Sequence, residues 1–204
     1  MNNQELKSFI TKHNVSIHGV IHIGAHFGQE DDLYKEIGIK NRLYFEPLNS
    51  NFKILKEKVG IDAIVIQKAL GNEKKIVKMH VESSNNGMSS SILEPKLHTI
   101  QFPNIVFDKS EDVEMDRLDD LQIEVKNYNM MNIDVQGFEL EVLRGSIKTL
   151  KYIDYLIVEI NNAELYNGCP MFKEINEFLT NYNFTCVDQY WWGGNFGEGF
   201  FKKK

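Results

Sequence analysis

Val20-Ile21-His22-Ile23-Gly24-Ala25-His26-Phe27-Gly28-Gln29-Glu30 carries more architectural information than any other stretch of this chain. Its first four residues read as a short buried strand, its glycines open a turn, and Glu30 begins a helix behind that turn. A second apolar run, Leu43-Tyr44-Phe45, ends at Glu46, about twenty residues past the first glycine, the separation found in nucleoside-binding strand pairs. In a parallel α/β sheet such a pair of strand ends can hold an adenosyl group. Glycine lets the backbone approach the ligand closely, and the carboxylate accepts hydrogen bonds from the two ribose hydroxyls.

The glycine spacing separates two cofactor classes. A dinucleotide site wants Gly-x-Gly-x-x-Gly, with the helix N-terminus aimed at a pyrophosphate. Gly24 and Gly28 follow Gly-x-x-x-Gly instead. Without the tight double-glycine turn, the loop suits a cofactor that lacks phosphates, such as S-adenosylmethionine. Two glycines between strand and helix also have a plain packing explanation, and Glu46-Pro47 at the end of the next strand favours the cofactor reading.

At 204 residues the chain suits one compact domain, residues 1–204, with a substantial core. The net charge of -6 argues against a nucleic-acid partner held through phosphates. The one dense basic run, Lys202-Lys203-Lys204, reads as a solvated tail. Cys169 and Cys186 form neither a metal-ligand pattern nor a disulfide framework, so two free thiols in a reducing compartment are expected. Met1 to Glu5 lack the basic-then-apolar pattern of a signal peptide, and no apolar run has membrane-spanning length. These features give a cytoplasmic expectation; they leave the oligomeric state open.

Strands alternate with helices along most of the chain, which predicts α/β architecture with a largely parallel sheet covered on both faces. Near-continuous apolar runs place strands near Val20–Ile23, Arg42–Glu46, Ala63–Gln67, Tyr128–Asp134 and Tyr155–Ile160. Helices are expected over Glu30–Ile37, Ser50–Val59, Phe138–Leu150 and Met171–Tyr182. The rhythm breaks between Gly71 and Asp119, where Ile76–Val81 and Val113–Met115 read as extra strands around a polar, serine-rich turn. An irregular segment of that length inside a compact domain is usually functional. Residues 72–117 are therefore expected to form an insertion, a lid or a substrate-facing element. Glycine-separated aromatics from Tyr190 to Phe201 predict a terminal hairpin.

The second dense motif is Met131-Asn132-Ile133-Asp134-Val135-Gln136-Gly137-Phe138-Glu139-Leu140-Glu141. A buried strand runs into Asp134, Gly137 permits a turn, and Glu139 and Glu141 complement the start of a helix dipole. Asp134 differs from those acids because it falls at the carboxyl end of a central strand, where open α/β sheets bind their ligands.

With these motifs in order, the chain resembles the FkbM family of S-adenosylmethionine-dependent methyltransferases. The resemblance runs from about Val20 to Phe201. It rests on Ile23-Gly24-Ala25-His26 with Gly28, Phe45-Glu46-Pro47 with Phe52, Ala69-Leu70-Gly71, Ser89-Ser90-Ser91, Leu118-Asp119, the block from Ile133 to Glu139, and Val158-Glu159-Ile160-Asn161. It implies a Rossmann-like methyltransferase fold, a mostly parallel seven-stranded sheet with helices on both faces and a C-terminal antiparallel hairpin. It also implies O-methylation of a sugar hydroxyl, in a glycan or polysaccharide. Two positions depart from the family pattern. His22 stands where an acid is frequent, removing one anchor for a methionine amino group, and Gln136 stands where glutamate is common, so no role for that carboxylate carries over.

On this reading Asp134 is the first choice for general base, with Glu159 and Asn161 orienting the hydroxyl or assisting the base. The same three residues offer oxygen ligands to a divalent cation, although no ligand spacing requires a metal. Gly24, Ala25, His26 and Gly28 are assigned to the methionine end of the cofactor. Gln29 and Glu30 can contact it from the first helical turn, Glu46 takes the ribose, and Ala69 and Leu70 flank the adenine. His26 has three readings: packing, cofactor contact or acid–base work. Ser90, Trp191 and Trp192 are candidates for the acceptor, the tryptophans through a flat face against a sugar ring. His13, His18, His80 and His98 read as surface or packing residues. The competing readings are methylation of a non-sugar small molecule, a nicotinamide-dependent oxidoreductase on a similar sheet, and a non-catalytic partner subunit of a glycan-assembly complex.

Overall fold

The structure, a computed structural model, describes residues 3–204, with side chains described from Leu6 onward; Met1 and Asn2, part of the expected leader-free N-terminus, lie outside the described residues. Among the described residues six helices run in chain order as α1 (Asn3–His13), α2 (Asp31–Glu36), α3 (Asn49–Val59), α4 (Leu97–Gln101), α5 (Glu139–Arg144) and α6 (Phe172–Asn181). The strands are β1 (Gly19–Ile23), β2 (Asn41–Phe45), β3 (Ile64–Ile66), β4 (Ala69–Leu70), β5 (Lys75–Glu82), β6 (Phe107–Asp116), β7 (Met130–Ile133), β8 (Tyr155–Asn161), β9 (Phe184–Trp192) and β10 (Phe196–Lys203).

Seven strands form the main sheet in the order β3-β2-β1-β7-β8-β10-β9. The first five are parallel, and β10 joins antiparallel to β8 and carries the hairpin partner β9. Successive side chains alternate between faces, so each central strand supplies two cores. Ile21, Leu43, Met131 and Leu156 pack on one face against Val142 and Leu143 of α5 and Ile175 and Leu179 of α6. Val20, Tyr44, Met130 and Ile157 pack on the other against Leu6 and Phe9 of α1, Leu33 of α2 and Leu55 of α3. Burial on both sides is why these strands read as unbroken apolar runs.

The segment expected as an insertion contributes a second, three-stranded sheet, β4-β6-β5. The short strand expected at Val113–Met115 extends over all ten residues of β6, because β5 pairs with it antiparallel from Lys75 to Glu82. Between β5 and β6 the chain passes through a serine-rich loop and α4. This connection lies over the carboxyl end of the main sheet, where His80 bridges Ser91 and Pro95 bridges Tyr166.

Two local expectations change. The helix expected over Phe138–Leu150 ends at Arg144, followed by a separate 3-10 turn at Thr149–Lys151. The Asp119 carboxylate takes the backbone N–H of Lys148 and Thr149, and the Asp119 N–H donates to the Gly145 carbonyl, which draws the chain off the helix axis. Gly145 is packed so closely that a Cβ there would lie 1.9 Å from the Gly71 carbonyl oxygen. The C-terminal lysines are not a solvated tail: Lys202 and Lys203 belong to β10. Lys203 Nζ donates to the carbonyls of Leu150 and Lys151 at 2.8 Å each, and Lys202 Nζ reaches the His13 carbonyl at the end of α1. Each lysine thus satisfies carbonyls left open at a helix terminus. Both cysteines are free, Cys169 buried and Cys186 half-buried. No helix among the described residues is long and apolar enough to cross a membrane.

Candidate active site

The main sheet reverses its winding between β1 and β7: the chain builds outward through β2 and β3, then returns to the other side of β1. A crevice opens at such a switch point, outside the carboxyl ends of the strands. Gly24 leaves β1 there and Asp134 leaves β7 beside it, with the Asp134 N–H donating to the Ile23 carbonyl at 3.0 Å. Gly24 has φ +80°, and a Cβ on it would fall 1.8 Å from the Asp134 carbonyl oxygen. The glycine is therefore required for the strand ends to meet. Gly24→Ala combines a left-handed backbone with a backbone clash. We expect a loss of at least about 3 kcal/mol, roughly 6–12 °C in Tm for a chain of this size; a melt within 2 °C of wild type would contradict the packing described.

Two clefts meet at this point. The first, about 550 Å³, is lined by Gly24, His26, Glu46, Ala69, Leu70 and Ser90, with Asp134 at its inner end. The Gly24 and Ala25 N–H groups both donate to the Phe45 carbonyl, binding the glycine turn to the end of β2. Glu46 is buried, and its two oxygens each accept one backbone amide, His26 N–H and Leu48 N–H, both at 2.9 Å. A carboxylate has about four lone-pair sites, so acceptor capacity remains on both oxygens for a diol. Burial pushes the Glu46 carboxyl up to about 8, although the two amides favour its ionised form. Leu48, Ala69, Leu70 and Met79 supply the apolar walls that a purine needs. These residues fit an adenosyl cofactor.

The second cleft, about 850 Å³, shares Met88, Asp134 and Gln136 with the first and adds Glu159, Glu198, His98, Phe102, Trp192 and Phe196. Gln136, with φ +54°, stands where the two join. Its amide nitrogen donates to Asp134 Oδ1 and Glu159 Oε2, both at 2.7 Å, while its amide oxygen accepts the Tyr166 hydroxyl at 2.8 Å. Burial alone raises Asp134, but the hydrogen bond from Glu159, nearby positive charge and the Gln136 amide together outweigh it and hold Asp134 below the ordinary carboxylate range. Glu159 moves the other way, well above its ordinary value, through burial and the neighbouring Asp134 charge. Two adjacent carboxyls cannot both ionise cheaply, and the two shifts favour ionisation of Asp134 over Glu159.

Residues with no catalytic signature in the sequence build this geometry. Glu139 is fully buried; its Oε1 accepts the N–H groups of Val135 and Gly137, fixing the turn that presents Asp134 and Gln136. Glu82 organises the serine-rich loop by accepting from the Ser84 hydroxyl and the Asn85 and Gly87 amides. His98, read above as a surface or packing histidine, is buried against Phe102, Phe107 and Tyr166, yet it also lines the second cleft. A helix too short to show periodicity carries it, so no sequence signal marked it.

The remaining sequence candidates fall into groups. Gly24, His26, Glu46, Ala69 and Leu70 come together around the first cleft. Ala25 is buried in the core beneath, and a Cβ on Gly28 would meet Leu55 Cδ1 at 2.7 Å, so both pack rather than face the cleft. Gln29 holds the His26 ring at Nδ1, and the other ring nitrogen meets the Asn86 carbonyl at 2.9 Å, tying the glycine turn to the serine-rich loop. Glu30 lies behind the turn, 4.0 Å from the buried His22. Ser90 lines the first cleft rather than the second, and its hydroxyl accepts the Glu82 N–H. Trp192 lines the second cleft, whereas Trp191 packs edge-on against Phe172. Asn161 is buried beyond the cleft walls, with neither amide atom paired. Among the described residues no group of three or more His, Cys, Asp or Glu is arranged to hold a metal ion.

Known proteins resemble this chain in sequence and in fold. A 2-O-methyltransferase, NoeI, from Sinorhizobium fredii is 25% identical over 173 residues, 80% of this chain and 71% of that protein. Among solved structures, magnesium protoporphyrin IX methyltransferase from Synechocystis PCC 6803, with bound SAM, superposes with a TM-score of 0.56 at 10% identity, covering 99% of this chain and 79% of its own. The 1,6-didemethyltoxoflavin-N1-methyltransferase from Burkholderia thailandensis gives 0.56 at 9% identity, over 99% of this chain and 78% of its own. At such identity the likeness establishes the methyltransferase fold and nothing finer. The model of the Methyltransferase FkbM domain matches residues 22–186, which takes in the whole lining of the first cleft, and the chain belongs to that family.

Proposed function

We propose that this methyltransferase uses S-adenosylmethionine to methylate a hydroxyl of a sugar, within a glycan or polysaccharide. The observation that carries the reading is the junction of two clefts at one carboxylate held below its ordinary range, Asp134, with an apolar-walled cleft carrying Glu46 on one side and an aromatic-walled cleft on the other. When bound, the cofactor supplies a methyl group on a sulfonium, ready for in-line displacement. Glu46 would accept the ribose hydroxyls, and the apolar walls would hold the adenine. Asp134 would accept a hydrogen bond from the acceptor hydroxyl and take up its proton as that oxygen is methylated. Glu159, protonated, donates to Asp134 and keeps it ionised until that moment. Gln136 holds both carboxyls in register, so the base is already oriented when substrate arrives.

In this reading residues 72–117 are the substrate-facing element of a single domain, because Met88, His98 and Phe102 belong to it and line the second cleft. The free thiols are in keeping with a reducing, cytoplasmic setting. The name of the Sinorhizobium relative, a 2-O-methyltransferase, supports oxygen as the methyl acceptor. Incubation with methyl-labelled S-adenosylmethionine and a panel of saccharides should label at least one of them. Robust labelling of peptides or non-sugar metabolites with none of any saccharide would overturn the acceptor class.

A further inference from the structure

The base proposed above is oriented by an amide, and an amide has two unlike ends. Gln136 Nε2 gives one hydrogen to Asp134 Oδ1 and one to Glu159 Oε2, each at 2.7 Å. Both of its hydrogens are then in use. Turned over by half a rotation, the amide would fill the same space but set its oxygen against the two carboxyls, acceptor facing acceptor. On its other side the amide meets one group that distinguishes oxygen from nitrogen. That group is the Tyr166 hydroxyl, 2.8 Å from Gln136 Oε1.

Tyr166 is placed to donate. It is 1% exposed, and burial, followed by the nearby Glu159, Asp134 and Glu139, pushes its hydroxyl well above the ordinary tyrosine value. The hydroxyl therefore keeps its hydrogen at any working pH. Its other acceptor within reach is the Ser89 carbonyl, at 2.9 Å. The main chain around Tyr166 is fixed from the same side: Tyr166 bridges Pro95, the Leu165 carbonyl accepts from Lys96 and His98, and the Asn167 N–H donates to the Glu94 carbonyl. Ser91 adds a clamp on Gln136 itself, its hydroxyl donating to the Gln136 carbonyl at 2.6 Å. Gln136 is thus held at its backbone by Ser91 and at its side chain by Tyr166. Tyr166 lines neither cleft, so it acts on the reaction only through its neighbours.

Resting on the reading of Asp134 as base, we infer that Tyr166 is a positioning residue for methyl transfer: its hydroxyl selects the Gln136 amide orientation that turns NH₂ toward Asp134, and ties that orientation to the docked serine-rich loop. The serine run then has a part in the site without touching a ligand, since Ser89 offers Tyr166 a second acceptor and Ser91 holds the Gln136 main chain. Removing the Tyr166 hydroxyl leaves a buried amide oxygen without its donor and lets the amide turn over, which takes a hydrogen bond from Asp134 as well.

Two measurements on the full chain test this. By ¹⁵N NMR, the Gln136 side-chain NH₂, identified by its loss in Gln136→Met, should exchange slowly with solvent in wild type. In Tyr166→Phe it should exchange at least about fivefold faster, the loss of one buried hydrogen bond, with the main-chain amides of β7 and β8 unchanged. Equal protection in the two proteins would overturn the inference, and this arm needs no acceptor. In turnover on the methyl glycoside most strongly labelled in the saccharide panel, Tyr166→Phe should lower kcat about five- to tenfold, while acceptor KM and the dissociation constant for S-adenosylhomocysteine stay within about twofold. In a Gln136→Met background the same substitution should cost nothing further, because both changes remove one contact. Additive losses, or a loss carried by KM alone, would also overturn it. Full activity in Asp134→Asn, with Tyr166-dependent protection of the amide retained, would remove the base assignment and leave the orienting contact standing.

Discussion

Asp134→Asn should lower kcat by about 10²–10⁴-fold, the range over which a positioned general base contributes. Asparagine matches the shape of aspartate, and its carbonyl can still accept from the Gln136 amide, so the turn should persist. What it cannot do is take a proton. The first cleft loses only one wall atom of similar size, and the dissociation constant for S-adenosylhomocysteine, read by calorimetry, should change by no more than about threefold. Glu159→Gln is the informative companion. Glu159 carries its proton in the native site and acts as a donor to Asp134, a role that an amide NH₂ can reproduce. It should therefore be much less damaging than Asp134→Asn. If the two variants lost activity equally, the assignment of the charge to Asp134 would fail. A stability effect accompanies the change. Because the native pKa of Asp134 is depressed, its ionised form stabilises the fold above the ordinary carboxylate range, and that contribution is lost only as pH falls through the native value. Asp134→Asn should thus melt below wild type at pH 7.

Glu46→Gln should weaken cofactor binding by about tenfold or more, since hydrogen bonds to a charged partner contribute about 1.5–3 kcal/mol. The two Glu46 oxygens accept from two backbone amides. Glutamine has one oxygen and turns an NH₂ toward the other amide, leaving a donor facing a donor. The pH dependence supplies a sharper signature. Burial raises Glu46 from 4.5 to about 8, so it is largely protonated at pH 7 in the free protein. Ribose hydroxyls donate best to the ionised form, and wild-type affinity should tighten as pH rises from 7 to 9. In the variant it should be flat over that range. Stability of the free protein runs in the opposite direction. A carboxyl whose native pKa is raised contributes stability that is fully present below 4.5 and lost as pH rises through about 8. Titration calorimetry across this range in both proteins checks the affinity trend; identical slopes would remove Glu46 as the ribose acceptor.

The motifs legible in the chain were those whose chemistry is local. Gly24, Glu46 and Asp134 each end a short apolar run, and a strand followed by a turn places the last residue at the rim of a parallel sheet wherever that sheet lies. The C-terminal hairpin was legible for the same reason, with Gly193 and Gly194 between two aromatic runs and both at positive φ. Residues whose function depends on distant partners were not. Glu139 looked like an ordinary acid at a helix start, and only its burial under the Val135–Gly137 turn makes it a brace for the end of β7. His98 sits on a five-residue helix without recognisable pattern, and it reaches the second cleft because Lys96 and His98 N–H groups dock on the Leu165 carbonyl. Trp191 and Trp192 were indistinguishable as neighbours. Strand alternation sends one toward Phe172 and the other into the cleft.

Backbone periodicity and glycine placement were thus enough to specify a parallel α/β sheet and the strand ends at which ligands gather, because hydrogen-bond geometry converts sequence spacing directly into direction. Which carboxyl is charged, which aromatic ring faces substrate and which glycine merely packs depend on desolvation and contact between residues far apart in the chain. Asp134 and Glu159 have the same chemistry, and folding shifts them in opposite directions, because burial and the neighbouring Asp134 charge raise Glu159 while the hydrogen bonds that Asp134 accepts favour its ionised form.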